Sequence, residues 1–246
     1  MPASVHTTRI QLMQSRLQTA NIYAIILNPG PSLYYLTGLT FHLMERPVVL
    51  YLLADSTPIL VLPELEKAKL SGIPFTVHPF LYGEDPARWP ETFSQVAQVA
   101  RLPGKKVAVE TTRLRFMETR YIEESAPGIQ FVPGDQFLAS MRMIKNDTEI
   151  ELLRQSVKIA QAALTRTLPA IRSGINEKEL AAELVSQTLS AGSDPELPFL
   201  PIVSFGPNTA NPHASPSERR LQSGDLVLFD WGASHNGYFA DLTRTF

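Results

Sequence analysis

The feature that most restricts this chain is the pair of strand-like runs on either side of Asn236-Gly237. Asp225 to Gly232 is an apolar run, Leu226-Val227-Leu228-Phe229, that carries Asp230. Tyr238 to Phe246 returns and carries Asp241. Asn-Gly is the favoured centre of a two-residue hairpin turn. Such a turn pairs His235 with Tyr238, Asp230 with Thr243, and Gly232 with Asp241. Directly opposed residues share a sheet face, and so do residues two apart along a strand. Asp230 and Asp241 therefore point to one side. A four-residue loop, Ser234 to Gly237, would set them directly opposite with the same outcome. Only a loop with an odd residue count would separate them.

Two carboxylates held that close repel, and a cation or a retained proton relieves the repulsion. Oxygen ligands on a rigid hairpin suit Mn²⁺, Mg²⁺, Ca²⁺ or a two-metal hydrolytic site. The alternative is a pair of solvated carboxylates on an exposed sheet face. Upstream, His213 stands in the loop Phe205 to Pro216 between Pro212 and Pro216. A neutral imidazole there can orient a substrate carbonyl or accept a hydrogen bond, and the alternative is a surface histidine. His6, His42, His78 and His235 form no constellation. Phosphate-cradling Gly-Lys loops, Gly-x-Gly-x-x-Gly, Gly-x-Ser-x-Gly and His-Glu-x-x-His are all absent.

The rest of the chain falls into two patterns. From Arg9 to Val132, helical and strand-like stretches alternate, as in an α/β layer domain. Helices are expected at Arg9 to Thr19, Glu64 to Ser71, Trp89 to Leu102 and Leu114 to Glu124. Strands are expected at Ala24 to Leu27, Val48 to Ala54, Ile59 to Leu62, Phe75 to Val77, Val107 to Glu110 and Ile129 to Val132. Asn28-Pro29-Gly30-Pro31 breaks the chain, and Tyr34-Tyr35-Leu36 reads as core. Beyond Ser140 to Asn146 the pattern changes. Asn146-Asp147-Thr148-Glu149 and Asn176-Glu177-Lys178-Glu179 both have capping-box spacing. The first opens a long helix with Ile150, Leu153, Val157, Ala160 and Leu164 on one face. The second opens a helix with Leu180, Leu184 and Leu189, stopped at Gly192, and a proline-rich loop follows.

Composition excludes several function classes. There are 22 Lys and Arg against 24 Asp and Glu, a net charge of −2. Such a chain lacks the positive field of a general nucleic-acid binder. It has no cysteine, so thiolate metal sites, disulfides and cysteine nucleophiles are out. No apolar run approaches the roughly 20 residues of a membrane span. The opening residues carry no basic-then-apolar leader. A soluble cytoplasmic protein is expected, with no nucleic-acid and no membrane partner.

Asp230-x-Gly232, Gly237-Tyr238, Asp241-x-Thr243-Arg244-Thr245-Phe246 resembles the first metal-ligand hairpin of the pita-bread metallopeptidases. That family includes prolidase, Xaa-Pro aminopeptidase, methionine aminopeptidase and metal-free creatinase. Gly206-x-Asn208 leading to His213-x-x-Pro216 resembles the family's substrate-contacting histidine loop. Met143-Ile144-Lys145-Asn146-Asp147-x-Glu149-Ile150 resembles the start of its catalytic domain. Asn28-Pro29 leading to Tyr35-Leu36-Thr37-Gly38 resembles the creatinase-like N-terminal domain.

The resemblance implies an α/β fold: a creatinase-like, ribonuclease H-like domain over residues 1–142, then the first part of a pita-bread α+β domain over 143–246. It implies Asp230 and Asp241 as metal ligands, Thr243 supporting them, and His213 hydrogen-bonding substrate. It further implies two divalent ions (Mn, Co or Zn) and metal-assisted hydrolysis of the bond preceding proline. Proline-containing peptides or dipeptides would be substrates, and a homodimer is implied. The family completes its site with a His and two Glu further along, which this sequence does not contain. The expectation is therefore a C-terminally truncated chain, inactive alone. A non-catalytic peptide- or protein-binding module and a creatinase-like C–N hydrolase stay open as alternatives.

Overall fold

The computed structural model describes residues 4–246, and Met1, Pro2 and Ala3, part of the stretch read for a leader, lie outside the described residues. The chain divides into two compact units, Met1–Ile144 and Lys145–Phe246.

The first unit is built on long apolar runs with no polar alternation, the pattern of strands buried on both faces. Its elements are α1 (Val5–Thr19), β1 (Ala24–Leu27), α2 (Pro31–Thr37), β2 (Val49–Leu53), β3 (Ile59–Pro63), β4 (His78–Tyr82), α3 (Trp89–Val99), β5 (Lys106–Val109), α4 (Phe116–Ser125), β6 (Gln130–Pro133) and α5 (Asp135–Arg142). The strands form one mixed six-stranded sheet in the order β4-β3-β2-β1-β5-β6. β1 runs parallel to β5, and β5 to β6, while β1, β2 and β3 pair antiparallel. One face packs Ile25, Leu27, Leu50 and Leu60 against Met13 and Leu17 of α1 and Leu33 and Leu36 of α2. The other packs Ile26, Val49, Tyr51 and Val107 against Phe93 and Val96 of α3 and Ile122 of α4. The result is the three-layer α/β/α arrangement that such a pattern predicts.

Several local expectations are corrected. The expected strand at Phe75 to Val77 lies instead at His78–Tyr82, because β4 takes its register from β3, with Ile59 opposite His78. Phe75 and Val77 still pack against the core from the preceding loop. Glu64–Gly72 is a 3-10 helix with no buried residue. The breaker at Asn28 to Pro31 does not end in a loop: Pro31 opens α2, a position where its missing N–H is harmless. α5 follows β6 directly, a helix beyond the elements expected from the sequence.

The second unit contains α6 (Asp147–Thr167), α7 (Glu177–Ser190), β7 (Ile202–Phe205), β8 (Val227–Trp231), β9 (Ser234–His235), β10 (Tyr238–Phe239) and β11 (Leu242–Thr245). Both capping boxes form. Glu149 N donates to Asn146 Oδ1 at 2.9 Å and Asn146 N to Glu149 Oε2 at 2.9 Å, and Asn176 and Glu179 repeat the exchange. Replacing Asn146 with Ala is expected to destabilise this unit by about 1 kcal/mol, read as a lower urea midpoint at unchanged slope.

β11, β8 and β7 make an antiparallel sheet. Its apolar face carries Val203, Phe205, Phe229 and Trp231 onto Ala160, Ala163 and Leu164 of α6 and Leu180 and Leu184 of α7. The expected apolar faces of the helices shift accordingly. Ile150 and Leu189 are exposed, whereas Glu149, Ser156 and Thr188 are buried. β7 lies inside the expected proline-rich loop.

Candidate functional site

The hairpin has the register of the two-residue turn. Trp231 pairs with Leu242, Asp230 with Thr243 and Leu228 with Thr245. His235 pairs with Tyr238 and Ser234 with Phe239. Between these, Ala240 N donates to Ala233 O at 2.9 Å, so pairing keeps step with no bulge. Asn236 (φ 49°) and Gly237 (φ 74°) both have positive φ, as a type I′ turn requires. Gly232 permits the close pairing that follows: a Cβ there would lie 2.1 Å from the Ala240 carbonyl oxygen.

Asp230, Asp241 and Thr243 thus share the sheet face opposite the helices. Ile202 lies opposite Asp230 on β7 and shares that face. Burial raises the Asp230 pKa above the ordinary carboxylate value, the Asp241 charge raises it further, and a Thr243 hydrogen bond opposes both. Asp230 Oδ1 is buried and has no hydrogen-bond partner. A buried, unpartnered carboxylate oxygen next to a second negative charge is costly unless something positive meets it. These are hard oxygen donors, and they fit a divalent cation. Among the described residues no group of three His, Cys, Asp or Glu side chains is placed to hold a metal.

The hairpin is gripped along its length. Trp231 Nε1 donates to the Ala160 carbonyl at 3.0 Å, Ser156 Oγ to the Tyr238 carbonyl at 2.7 Å, and the Tyr238 hydroxyl to Glu149 Oε1 at 2.9 Å. At the turn, Asp194 Oδ2 accepts from Ser234 Oγ at 3.0 Å and from Gly237 N at 3.1 Å. The polar residues on the inner face of α6 therefore fix the ribbon that carries the aspartates.

His213 lies beyond β7, after a 3-10 turn at Gly206–Ala210. Its backbone N–H donates to Asn211 Oδ1 at 3.1 Å, a local Asx turn. The residue is exposed. The loop is tied at both ends to one side chain, Glu177, which is 0% exposed. Glu177 Oε1 accepts from Phe205 N at 2.7 Å and from Asn208 Nδ2 at 3.0 Å. Glu177 Oε2 accepts from Ser217 N at 2.9 Å and Ser217 Oγ at 2.6 Å. Arg219 braces the same segment, donating to the Phe205 carbonyl at 3.0 Å and to Asp225 Oδ2 at 2.9 Å.

Burial pushes the Glu177 carboxyl up, but the hydrogen bonds from Ser217, Phe205 and Asn208 outweigh it and hold its pKa below the ordinary value of 4.5. A depressed carboxyl contributes stability above its unfolded-state pKa and loses it as pH falls through the folded value. The stability advantage of the wild type over Glu177→Gln is therefore expected to be full at neutral pH and to shrink below 4.5. Urea titrations at several pH values measure it. Sequence reading singled out neither Glu177 nor Asp194. Their partners lie 28 to 43 residues away, and only the tertiary fold brings them together.

The sequence pattern described as metallopeptidase family M24 matches residues 151–246, and that of the creatinase/prolidase N-terminal domain matches residues 9–144. A crystal structure of recombinant prolidase from Thermococcus sibiricus superposes with a TM-score of 0.88 at 28% identity, covering 98% of this chain and 65% of that one. Dipeptidase PepE from Mycobacterium ulcerans gives 0.85 at 26% identity, covering 100% and 65%. A dipeptidase from Pyrococcus horikoshii gives 0.85 at 27%, covering 96% and 64%. The chain spans about 65% of the length of the curated relatives it matches. Among the described residues no helix is long and apolar enough to cross a membrane.

Proposed function

Because this chain belongs to the metallopeptidase family M24, with a creatinase/prolidase N-terminal domain, we propose that its protein is a metal-dependent Xaa-Pro peptidase. It would cleave the peptide bond preceding proline in dipeptides or short peptides. The observation that carries this is the hairpin register, which sets Asp230 and Asp241 on one face with Asp230 Oδ1 buried and unpartnered.

Asp230 and Asp241 would hold divalent metal, of the Mn, Co or Zn class. The chemistry bound metal supplies is a water acidic enough to attack at neutral pH and a polarised scissile carbonyl. The residues of this chain do the rest by placement. Thr243, directly opposite Asp230 in the register, would steady its carboxylate from the same sheet face. The Asp194 and α6 grips keep the ribbon rigid, so both acids stay in register. The His213 imidazole, without a hydrogen-bond partner among the described residues, is available to donate to the substrate. Two carboxylates are fewer than the three or four protein ligands of ordinary catalytic metal sites. We accordingly propose that activity needs further ligands beyond these two, and that residues 1–246 alone are inactive.

The test uses the complete gene product. Hydrolysis of Xaa-Pro dipeptides is expected, with Xaa-Ala dipeptides much slower. A chelator should stop it and Mn²⁺, Co²⁺ or Zn²⁺ restore it. Hydrolysis indifferent to chelation, or no hydrolysis by metal-loaded protein, contradicts the assignment.

A further inference from the structure

We propose that Glu177 is a positioning residue for His213: one buried carboxylate closes the histidine loop at both ends and sets where the imidazole stands. The inference rests on the substrate-contacting role given to His213 above. Glu177 sits at the first position of α7, outside the sheet face that carries the aspartates. Yet its two oxygens take donors from the last residue of β7, from the 3-10 turn and from the far end of the loop.

Phe205 and Ser217 are thereby joined through a single side chain, and the free arc shrinks to the residues around His213. Anchoring both ends removes most of the conformations such an arc would sample. The Asx turn at Asn211 sets the backbone just before the imidazole. Little else holds His213, since Asn211, Pro212 and His213 are all exposed. A helix-capping role alone would not need this arrangement. The cap of α7 is already satisfied by Asn176 and Glu179, so the Glu177 carboxylate is committed to the loop.

Glu177→Gln keeps the shape but replaces one acceptor by an NH₂ group. In either amide orientation that group faces donors. At Oε1 it meets Phe205 N and Asn208 Nδ2, and at Oε2 it meets Ser217 N. Ser217→Ala is the gentler probe, removing one donor and leaving the charge.

The complete gene product is assayed for Xaa-Pro hydrolysis, metal content and amide hydrogen exchange. In Glu177→Gln, kcat should fall by about 10- to 100-fold, the scale expected for a misplaced catalytic group, while KM and metal content stay near wild type. Exchange should quicken far more at residues 206–216 than in α6 or the hairpin, where only the small loss of overall stability is felt. Ser217→Ala should shift both readouts the same way by less. Unchanged kcat with a loosened loop overturns the proposal. So does a loss of activity accompanied by an equal rise in exchange at residues 206–216, α6 and the hairpin, which would mark a purely structural role. If the wild-type protein cleaves no dipeptide, the functional assignment fails by itself, and the exchange measurement still decides whether Glu177 orders the loop.

Discussion

Asp230→Asn, made in the complete gene product, is expected to lower kcat/KM for Xaa-Pro dipeptides by about a thousandfold or more, since the activated water depends on the bound metal. Metal content should fall with it. The substitution keeps the side-chain shape, so folding is not the cause. In metal-free protein the opposite trend is expected for stability. Asp230 is partly buried, it carries a raised pKa, and Asp241 repels it. Removing its charge removes that repulsion, so the metal-free variant should unfold at the same or a higher urea concentration than wild type. Activity and stability moving in opposite directions is the signature of a site that holds its charges for a ligand. Asp241→Asn should behave alike, with a smaller gain in stability because Asp241 is exposed. A variant with wild-type turnover and full metal content would remove Asp230 from the site.

The hairpin could be read from sequence because its causes are local. Asn236-Gly237 dictates a type I′ turn, the turn dictates register, and register dictates which side chains share a face. The six-stranded sheet was visible for a similar reason: β1, β2 and β3 are unbroken apolar runs buried on both faces. What escaped depends on distant partners. β4 is placed by its neighbour β3, not by its own hydrophobicity. The inner face of α6 holds Glu149 and Ser156, polar residues outside its expected apolar face, because both bond Tyr238 of the ribbon. Glu177 looked like an ordinary acidic residue in the first turn of a helix. Its burial comes from a loop that starts 28 residues later. The polar residues that hold the candidate site were therefore hidden, while the acids they hold in place were readable.

Gly232→Ala is expected to be the most destructive single methyl in the second unit. The added Cβ would stand 2.1 Å from the Ala240 carbonyl oxygen and 2.5 Å from Pro198 Cγ, whereas real Cβ contacts under 3.0 Å essentially do not occur. Neither obstacle is the far end of a flexible side chain. The Ala240 carbonyl belongs to the strand whose N–H already bonds Ala233, so the ribbon must open where Asp241 begins. Overpacking of this kind costs roughly 1–3 kcal/mol in a core, and a forced backbone shift puts this site at about 3 kcal/mol. The urea midpoint should drop accordingly. Activity and metal affinity should fall more than the lost stability explains, because Asp241 follows Ala240 directly and moves with it. Gly72→Ala is the control, since a Cβ there meets nothing within 4 Å, and it should be near neutral. If Gly232→Ala matched that control in stability and metal binding, close pairing at Gly232 would not be what keeps the two aspartates together.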